Sequence, residues 1–364
     1  MGFRMPKYLP PNFELPGFVN APDARLVPAP KDTVAPKNFH STTIFPEYFK
    51  VEGEWKLARE SRMDCVAVYE GGEVVIKEAR RLKEGDLVFV GRTEDAIEGI
   101  YVHANAFVEE DEDELDSFVF RQGRTRETAY SMDYKFLAEL LKHERENGFV
   151  TWVLGPACAF DAESREAFSK LIKGGYADAI LAGNALATHD LEASLLGTAL
   201  GQDISTQKSM PNGHYNHIDA INAVRFHGSI PKFIENENID SGIMYECVKN
   251  DVPFVLTGSI RDDGPLPEVY GDVYEGQDAM RDIIRKSTTV ICMATMLHSI
   301  ATGNMTPTYR ELSDGTIRPL YFYSVDISEF AVNKLRDRGS LTVKTIVTNI
   351  QDFIMNISKK LEIL

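Results

Sequence analysis

Four short stretches carry the residue types from which a nucleotide site is built, and each follows an apolar run. AILAG (179–183) passes into Asn184 and Ala185, and VLTG (255–258) into a loop from Ser259 to Gly264. VICMA (290–294) passes into Thr295, Met296, Leu297 and His298, and LYFYSV (320–325) into Asp326. A helix that starts directly after a strand aims its first N–H groups, and the positive end of its dipole, beyond the strand. With Thr295 as the opening residue, the N–H groups of Met296, Leu297 and His298 favour an anion such as a pyrophosphate. Asp326 suits a ribose: a carboxylate just past a strand accepts from the diol and repels a 2′-phosphate, which favours NAD over NADP. The spacing equally allows Asp326 or Ser328 to cap the following helix, ISEFAVNKLRD. Asp262 and Asp263 are adjacent carboxylates that repel each other unless Arg261 or a substrate ammonium lies close.

Other reactive residue types are scattered. His214 and His217 form an HxxH pair in GHYNH, but the local sequence offers no third ligand, so no metal is expected and a substrate contact or cap is favoured. Glu246 and Cys247 fall on a helix after Gly242, where a glutamate is ordinarily solvated and a buried thiol ordinarily inert. His189 and Asp190 read either as an acid/base pair or as a helix start. No GxGxxG follows any strand-like run, so a nucleotide would need loops other than the standard fingerprint.

The elements that must position these residues alternate helix and strand from about residue 131 onward, the pattern of a parallel α/β sheet. Near-continuous apolar strands such as TVICMA suit a sheet covered on both faces. Parallel strands bring all four polar stretches to one edge, where such folds bind ligands. Upstream, residues 41–130 hold short β-prone runs and the turn Gly71-Gly72, the signature of a smaller β-rich domain. The acidic run Glu109 to Asp116 reads as a solvated linker, and residues 1–40 as a proline-rich arm without a fold of its own.

Composition narrows the partners. The 364 residues include 39 basic and 55 acidic side chains, a net charge of −16, so the average surface repels nucleic acid and anionic membranes. No apolar run approaches the roughly 18 to 20 residues of a membrane helix. Four dispersed cysteines without a CxxC pair, and no signal peptide, point to the cytoplasm. The proline-rich arm and several apolar helices suggest a homo-oligomer.

GNALATHDLE, GHYNHIDAIN, SGIMYECV, VLTGSIRDDGPLP and ATMLHSIATGNM together resemble the archaeal-type ornithine cyclodeaminases and the C-terminal module of cyanobacterial bifunctional arginine dihydrolase/ornithine cyclodeaminases. MDCVAVYEGG and KEGDLVFVG resemble the conserved region named after lysine-oxoglutarate reductase/saccharopine dehydrogenase (LOR/SDH) enzymes. The resemblance implies a Rossmann-like, deoxyhypusine synthase-like NAD domain over residues 131–364. It also implies bound NAD and conversion of L-ornithine to L-proline and ammonia. Its cofactor contacts would fall on Asn184, Ala185, Asp263, Thr295, Met296, Leu297, His298 and Asp326, and on Asn349, which stands where the family tends to carry Asp. The reaction needs a base, for which Glu246 and Asp262 are the candidates, Asp262 also lying near a substrate ammonium, and a proton shuttle, for which His217 is the candidate. Competing expectations are a lysine- or saccharopine-pathway NAD(P) oxidoreductase and a non-catalytic NAD or amino-acid sensor.

Overall fold

The computed structural model describes residues 3–108, 129–262, 264–336 and 342–364. Its centre is one seven-stranded sheet: β1 (Val150–Leu154), β2 (Ala179–Gly183), β3 (Phe254–Thr257), β4 (Val269–Tyr270), β5 (Thr289–Met293), β6 (Tyr321–Asp326) and β7 (Thr342–Val347). The spatial order is β4-β3-β2-β1-β5-β6-β7, and every pairing is parallel. The chain therefore builds outward from β1 in one direction, returns, and builds outward in the other from β5. Ligands bind in such sheets where neighbouring strands send their connections to opposite sides, here between β1 and β5.

The helices are α1 (Ser131–Asn147), α2 (Ala162–Lys173), α3 (Asn184–Leu196), α4 (Asn216–His227), α5 (Ile230–Asn236), α6 (Ile243–Lys249), α7 (Val273–Ile284), α8 (Met296–Met305), α9 (Glu329–Arg336) and α10 (Ile350–Lys360). Strand residues alternate between two cores. Val150, Trp152 and Leu154 pack with Leu137 of α1, Phe168 of α2 and Phe353 of α10. Val153, Val290, Cys292 and Phe322 pack on the other face with Met280 and Ile283 of α7. Covering both faces is why TVICM is buried at every position rather than at alternate ones.

The upstream segment holds a four-stranded and a three-stranded antiparallel sheet that share a core of Phe49, Phe89, Ile100 and Val74, and a short pair of Lys7–Tyr8 with Phe107–Val108. Glu73–Lys77 returns against Val66–Glu70 through Gly71 and Gly72, whose positive φ values of 61° and 88° are those of the tight hairpin turn expected there. Arg25–Pro28, within the proline-rich stretch, is an edge strand of the four-stranded sheet, pairing antiparallel with Leu87–Val90. Pro28 ends that strand at an edge position, the place a proline is tolerated. Lys50 fastens the preceding turn by donating to the carbonyls of Phe18, Val19 and Ala21 at 2.7–3.1 Å. The acidic linker expected over residues 109–116 lies outside the described residues.

This β unit is held to α7 by charge. Arg281, only 3% exposed, reaches Glu60 at 2.8 Å and Glu78 at 3.6 Å. Arg62 also pairs with Glu78, and Arg80 and Arg81 pair with Asp278. Burial works to raise the Glu78 carboxyl, but Arg281 and Arg62 outweigh it and hold it below the usual carboxylate range. Arg281→Ala strips Glu78 and Glu60 of a buried counter-charge and should cost about 3–5 kcal/mol. Urea denaturation at pH 7 measures this. Because the Glu78 value is depressed, its contribution is present above the unfolded carboxylate range and is lost as pH falls through the lower folded value. The difference between wild type and variant should therefore shrink in acid.

Candidate functional site

At the C-terminal edge of the sheet, α3 and α8 begin directly from β2 and β5. Neither first turn has a side-chain cap: Gly183 stands at the N-cap of α3, and the Thr295 hydroxyl turns instead to His298 Nδ1 at 3.2 Å. Asp161, Ser229, Asp272 and Asn349 cap α2, α5, α7 and α10, whereas α1 and α4 also start without a side-chain cap. Two helix starts thus keep N–H groups directed over the sheet edge. The turn into α8 is tight. Ala294 takes φ 52°, and a Cβ on Gly155, just past β1, would lie 1.9 Å from the Ala294 carbonyl oxygen. Only glycine lets the backbones after β1 and β5 meet at the switch point.

His298 spans this edge. Its Nε2 bonds the Thr257 hydroxyl at the end of β3 at 2.7 Å, so the imidazole crosses over Gly183. Burial pushes its pKa below the ordinary histidine value, with Asp262 pulling the other way, which favours a neutral ring. Asn184 ties the neighbouring loop down, its Oδ1 accepting from the Leu266 N–H at 3.0 Å. Met296 and Leu297 expose apolar side chains beside these elements. Asp326, at the end of β6, accepts from Ser328 N–H with one oxygen, while Ser328 accepts from Ala331 N–H near the start of α9. Asn349 caps α10, its Oδ1 accepting from Gln351 N–H at 2.8 Å. Asp263 lies outside the described residues.

Beside α3 lies a cavity of about 460 Å³ to which Asn184, Ala185, His189, His217, Arg225 and Asp262 contribute. Asp262 Oδ2 accepts from Ser259 N–H at 2.7 Å, which fixes the carboxylate in its loop. Arg225 and Arg261 line the same cavity. The structure does not bring Glu246 here. It sits on α6, bonds Asn250 at 2.8 Å and faces a separate cleft with Arg165 and Lys170. Cys247 is buried and its thiol is pushed up by burial, which keeps it protonated.

The HDLE run of α3 sends its two acids to opposite sides. Asp190 receives Arg165 Nε at 2.6 Å and caps α6 through Ile243 N–H at 3.0 Å and Met244 N–H at 2.7 Å. It is a structural lock and not the partner of His189. That partner is Glu192, one helical turn on, which the sequence analysis did not single out. The His189–Glu192 spacing of three residues on a helix was the available signal.

Glu192 is completely buried and accepts from the Thr198 hydroxyl at 2.8 Å, Leu200 N–H at 3.0 Å and Gly201 N–H at 2.9 Å. Burial opposes ionisation, but His189, His217, Gly201 and Thr198 together hold its pKa well below the usual carboxylate range. His189, Glu192 and His217 are the one His/Cys/Asp/Glu group among the described residues with ligand atoms close enough to share a cation. His214 stays outside it, its ring packed on Tyr215. A Cβ at Gly183 would lie 2.9 Å from His298 Cε1. Gly183→Ala should therefore displace the ring and cost about 1–3 kcal/mol. Proton NMR titration should show the His298 value rising toward the ordinary one, and an unmoved titration would refute the crossing.

Among the described residues no helix is long and apolar enough to cross a membrane. The family model described as arginine dihydrolase ArgZ-like, C-terminal, Rossmann fold, matches residues 135–357. An ornithine cyclodeaminase of Methanopyrus kandleri is 40% identical over 347 residues, covering 94% of this chain and 80% of that protein. The crystal structure of a LOR/SDH protein from Methanococcus maripaludis superposes with a TM-score of 0.84 at 37% identity, covering 94% of this chain and 98% of that one. The ternary complex of AgrE with ornithine and NAD+ superposes with a TM-score of 0.60 at 34% identity, covering 96% of this chain and 47% of AgrE. AgrE is a bifunctional arginine dihydrolase/ornithine cyclodeaminase of Nostoc. With this identity sustained over nearly its whole length and a Rossmann-type sheet at its centre, the chain belongs to the ornithine cyclodeaminase family.

Proposed function

We propose that this protein converts L-ornithine to L-proline and ammonia with NAD held at the sheet edge. The observation that carries the reading is the adjacency of two features: uncapped helix starts at the switch point, and a cavity that offers carboxylate, imidazole and guanidinium groups together. The residues suit the cofactor. The first turn of α8 offers N–H groups to a pyrophosphate. The Gly155–Ala294 contact brings the backbones after β1 and β5 together beside the start of α8, and Asp326 stands one strand further on, where a ribose diol would be met. When bound, NAD takes hydride from the substrate Cα and later returns it to the cyclic imine, so the reaction has no net redox change.

The chain's own residues hold charge and move protons. Arg225 and Arg261 are suited to the substrate carboxylate, and Asp262 to an ammonium. His217 is the shuttle that moves protons between substrate nitrogens. Asp262 also remains the candidate base, since one of its oxygens is fixed by Ser259 while the other is left for the cavity. The AgrE complex with ornithine and NAD+ supports both ligands for a family member.

Incubation with L-ornithine and catalytic NAD should yield proline and ammonia in equal amounts without growth of NADH absorbance. Failure to form proline with the cofactor confirmed present would overturn the proposal. Asp262→Asn should retain NAD and lower kcat by about 10²–10⁴-fold, the range for loss of a positioned acid or base. Glu246→Gln, in its separate cleft, should turn over ornithine at the wild-type rate.

A further inference from the structure

A buried imidazole, His189, and a part-buried one, His217, face one buried carboxylate in a cavity wall, and ordinary packing does not require it. Glu192 Oε2 lies 3.6 Å from His189 Nδ1 and 3.6 Å from His217 Nδ1. Both Nδ1 atoms are buried and have no hydrogen-bond partner. The rings lie 5.1 Å apart between centroids, and Phe160 packs on the outer side of His189. With Nδ1 turned toward Glu192, each ring leaves Nε2 on its opposite side, and both residues line the cavity.

The carboxylate is held by a purpose-shaped turn. Thr198–Ala199 pairs with Gln202–Asp203 through Leu200 and Gly201, both at positive φ (52° and 73°). That turn aims both N–H groups at Glu192, a small nest for an anion. Leu200 pays the usual steric cost of the left-handed region. A Cβ on Gly201 would lie 2.4 Å from the backbone of Gly213, so the position is closed to other residues. Asn216, at the start of α4, donates to the Thr198 hydroxyl at 2.9 Å and so links the turn to the helix that carries His217.

We propose that Glu192 is a positioning residue that pairs His189 with His217 as a two-proton store, making His189 a second acid/base residue. The proposal rests on the ornithine reading, whose proton count it answers. The α-ammonium loses one proton before hydride can leave Cα. The δ-ammonium loses one before its lone pair can form the new C–N bond. The ring nitrogen, which now carries two hydrogens, passes one proton to the old amino nitrogen, and the old Cα–N bond then breaks with its electron pair on that nitrogen, leaving the cyclic imine to which hydride returns. The departing ammonia takes up one proton and the ring nitrogen of proline takes up the other. Two protons leave the substrate and two return; a carboxylate acting as the base keeps a proton only briefly near neutral pH, and one histidine cannot hold both, but two can. Glu192 offsets one of the two positive charges of the fully loaded pair. The other charged groups facing this unit are Arg225 of α4, and Arg261 and Asp262 of the 259–264 loop. Three N–H and O–H donors already satisfy Glu192, so no metal is needed to hold it.

The test uses the full chain with NAD. Glu192→Gln keeps the shape and removes the charge. It should retain NAD affinity, lower kcat about 100-fold or more, and move the acid limb of the kcat profile about one pH unit toward lower pH, because an imidazolium has lost its counter-charge. His189→Ala should lose comparable turnover and recover part of it when free imidazole is added, which a purely structural loss would not allow. An unchanged kcat and pH profile in Glu192→Gln would overturn the proposal. So would wild-type activity that a chelator abolishes and zinc restores, which would make the cluster a metal centre. Histidine NMR titration needs no turnover. If both imidazole titrations move in Glu192→Gln the unit exists, even where wild type makes no proline and only the ornithine reading falls; if neither moves, the unit is absent.

Discussion

A parallel sheet cannot be closed by tight hairpins, and that constraint governs this molecule. Each strand must be carried back by a long connection, so every strand delivers its C-terminal end to the same edge. With β1 and β5 adjacent and their successors diverging, the connections separate and leave a crevice between them. The contact of Gly155 with Ala294 is where that geometry becomes chemical, because the backbones after the two strands touch and the start of α8 stands free above them. Residues distant in sequence, Asn184, Asp262, His298 and Asp326, reach one edge for this reason alone.

Buried charge separates architecture from chemistry in this fold. Asp190 and Glu192 are two residues apart on α3 and both fully buried. Asp190 is paired with an arginine and saturated by helix-start N–H groups, an arrangement that fixes α2, α3 and α6 and leaves nothing to react. Glu192 is kept ionised by the two imidazoles it faces and by the Gly201 and Thr198 donors, so its charge remains available to a proton on either ring. Removing a counter-ion from the first would break the fold; altering the second would change how the cavity holds protons.

The small β unit serves the same end from outside. Its ion pairs grip α7, on the sheet face opposite α3 and α4, and the cavity is left open to solvent on its own side. Electrostatic docking needs matched charges rather than a large apolar face, which suits a unit whose own core is occupied by Phe49, Phe89 and Ile100.

The sequence by itself determined the class of fold and the edge at which the site lies. Strand runs such as TVICM and the helices between them have periodicities that only a doubly covered parallel sheet satisfies, and the glycine and polar residues after them mark the ligand edge. It also carried the family, because motifs such as ATMLHSIATGN are long enough to be specific. Tertiary structure decided which side chains share a cavity. Glu246 followed a promising pattern and fell in another cleft, because the direction of α6 is set by Asp190 capping its start. Asn349, after the last strand, caps α10. The spacing from His189 only hinted at Glu192, because its meaning depends on a turn at Leu200–Gly201 and on His217 from another helix. A pattern along the chain records which face a residue occupies, whereas a proton's path depends on distances across elements that only packing sets.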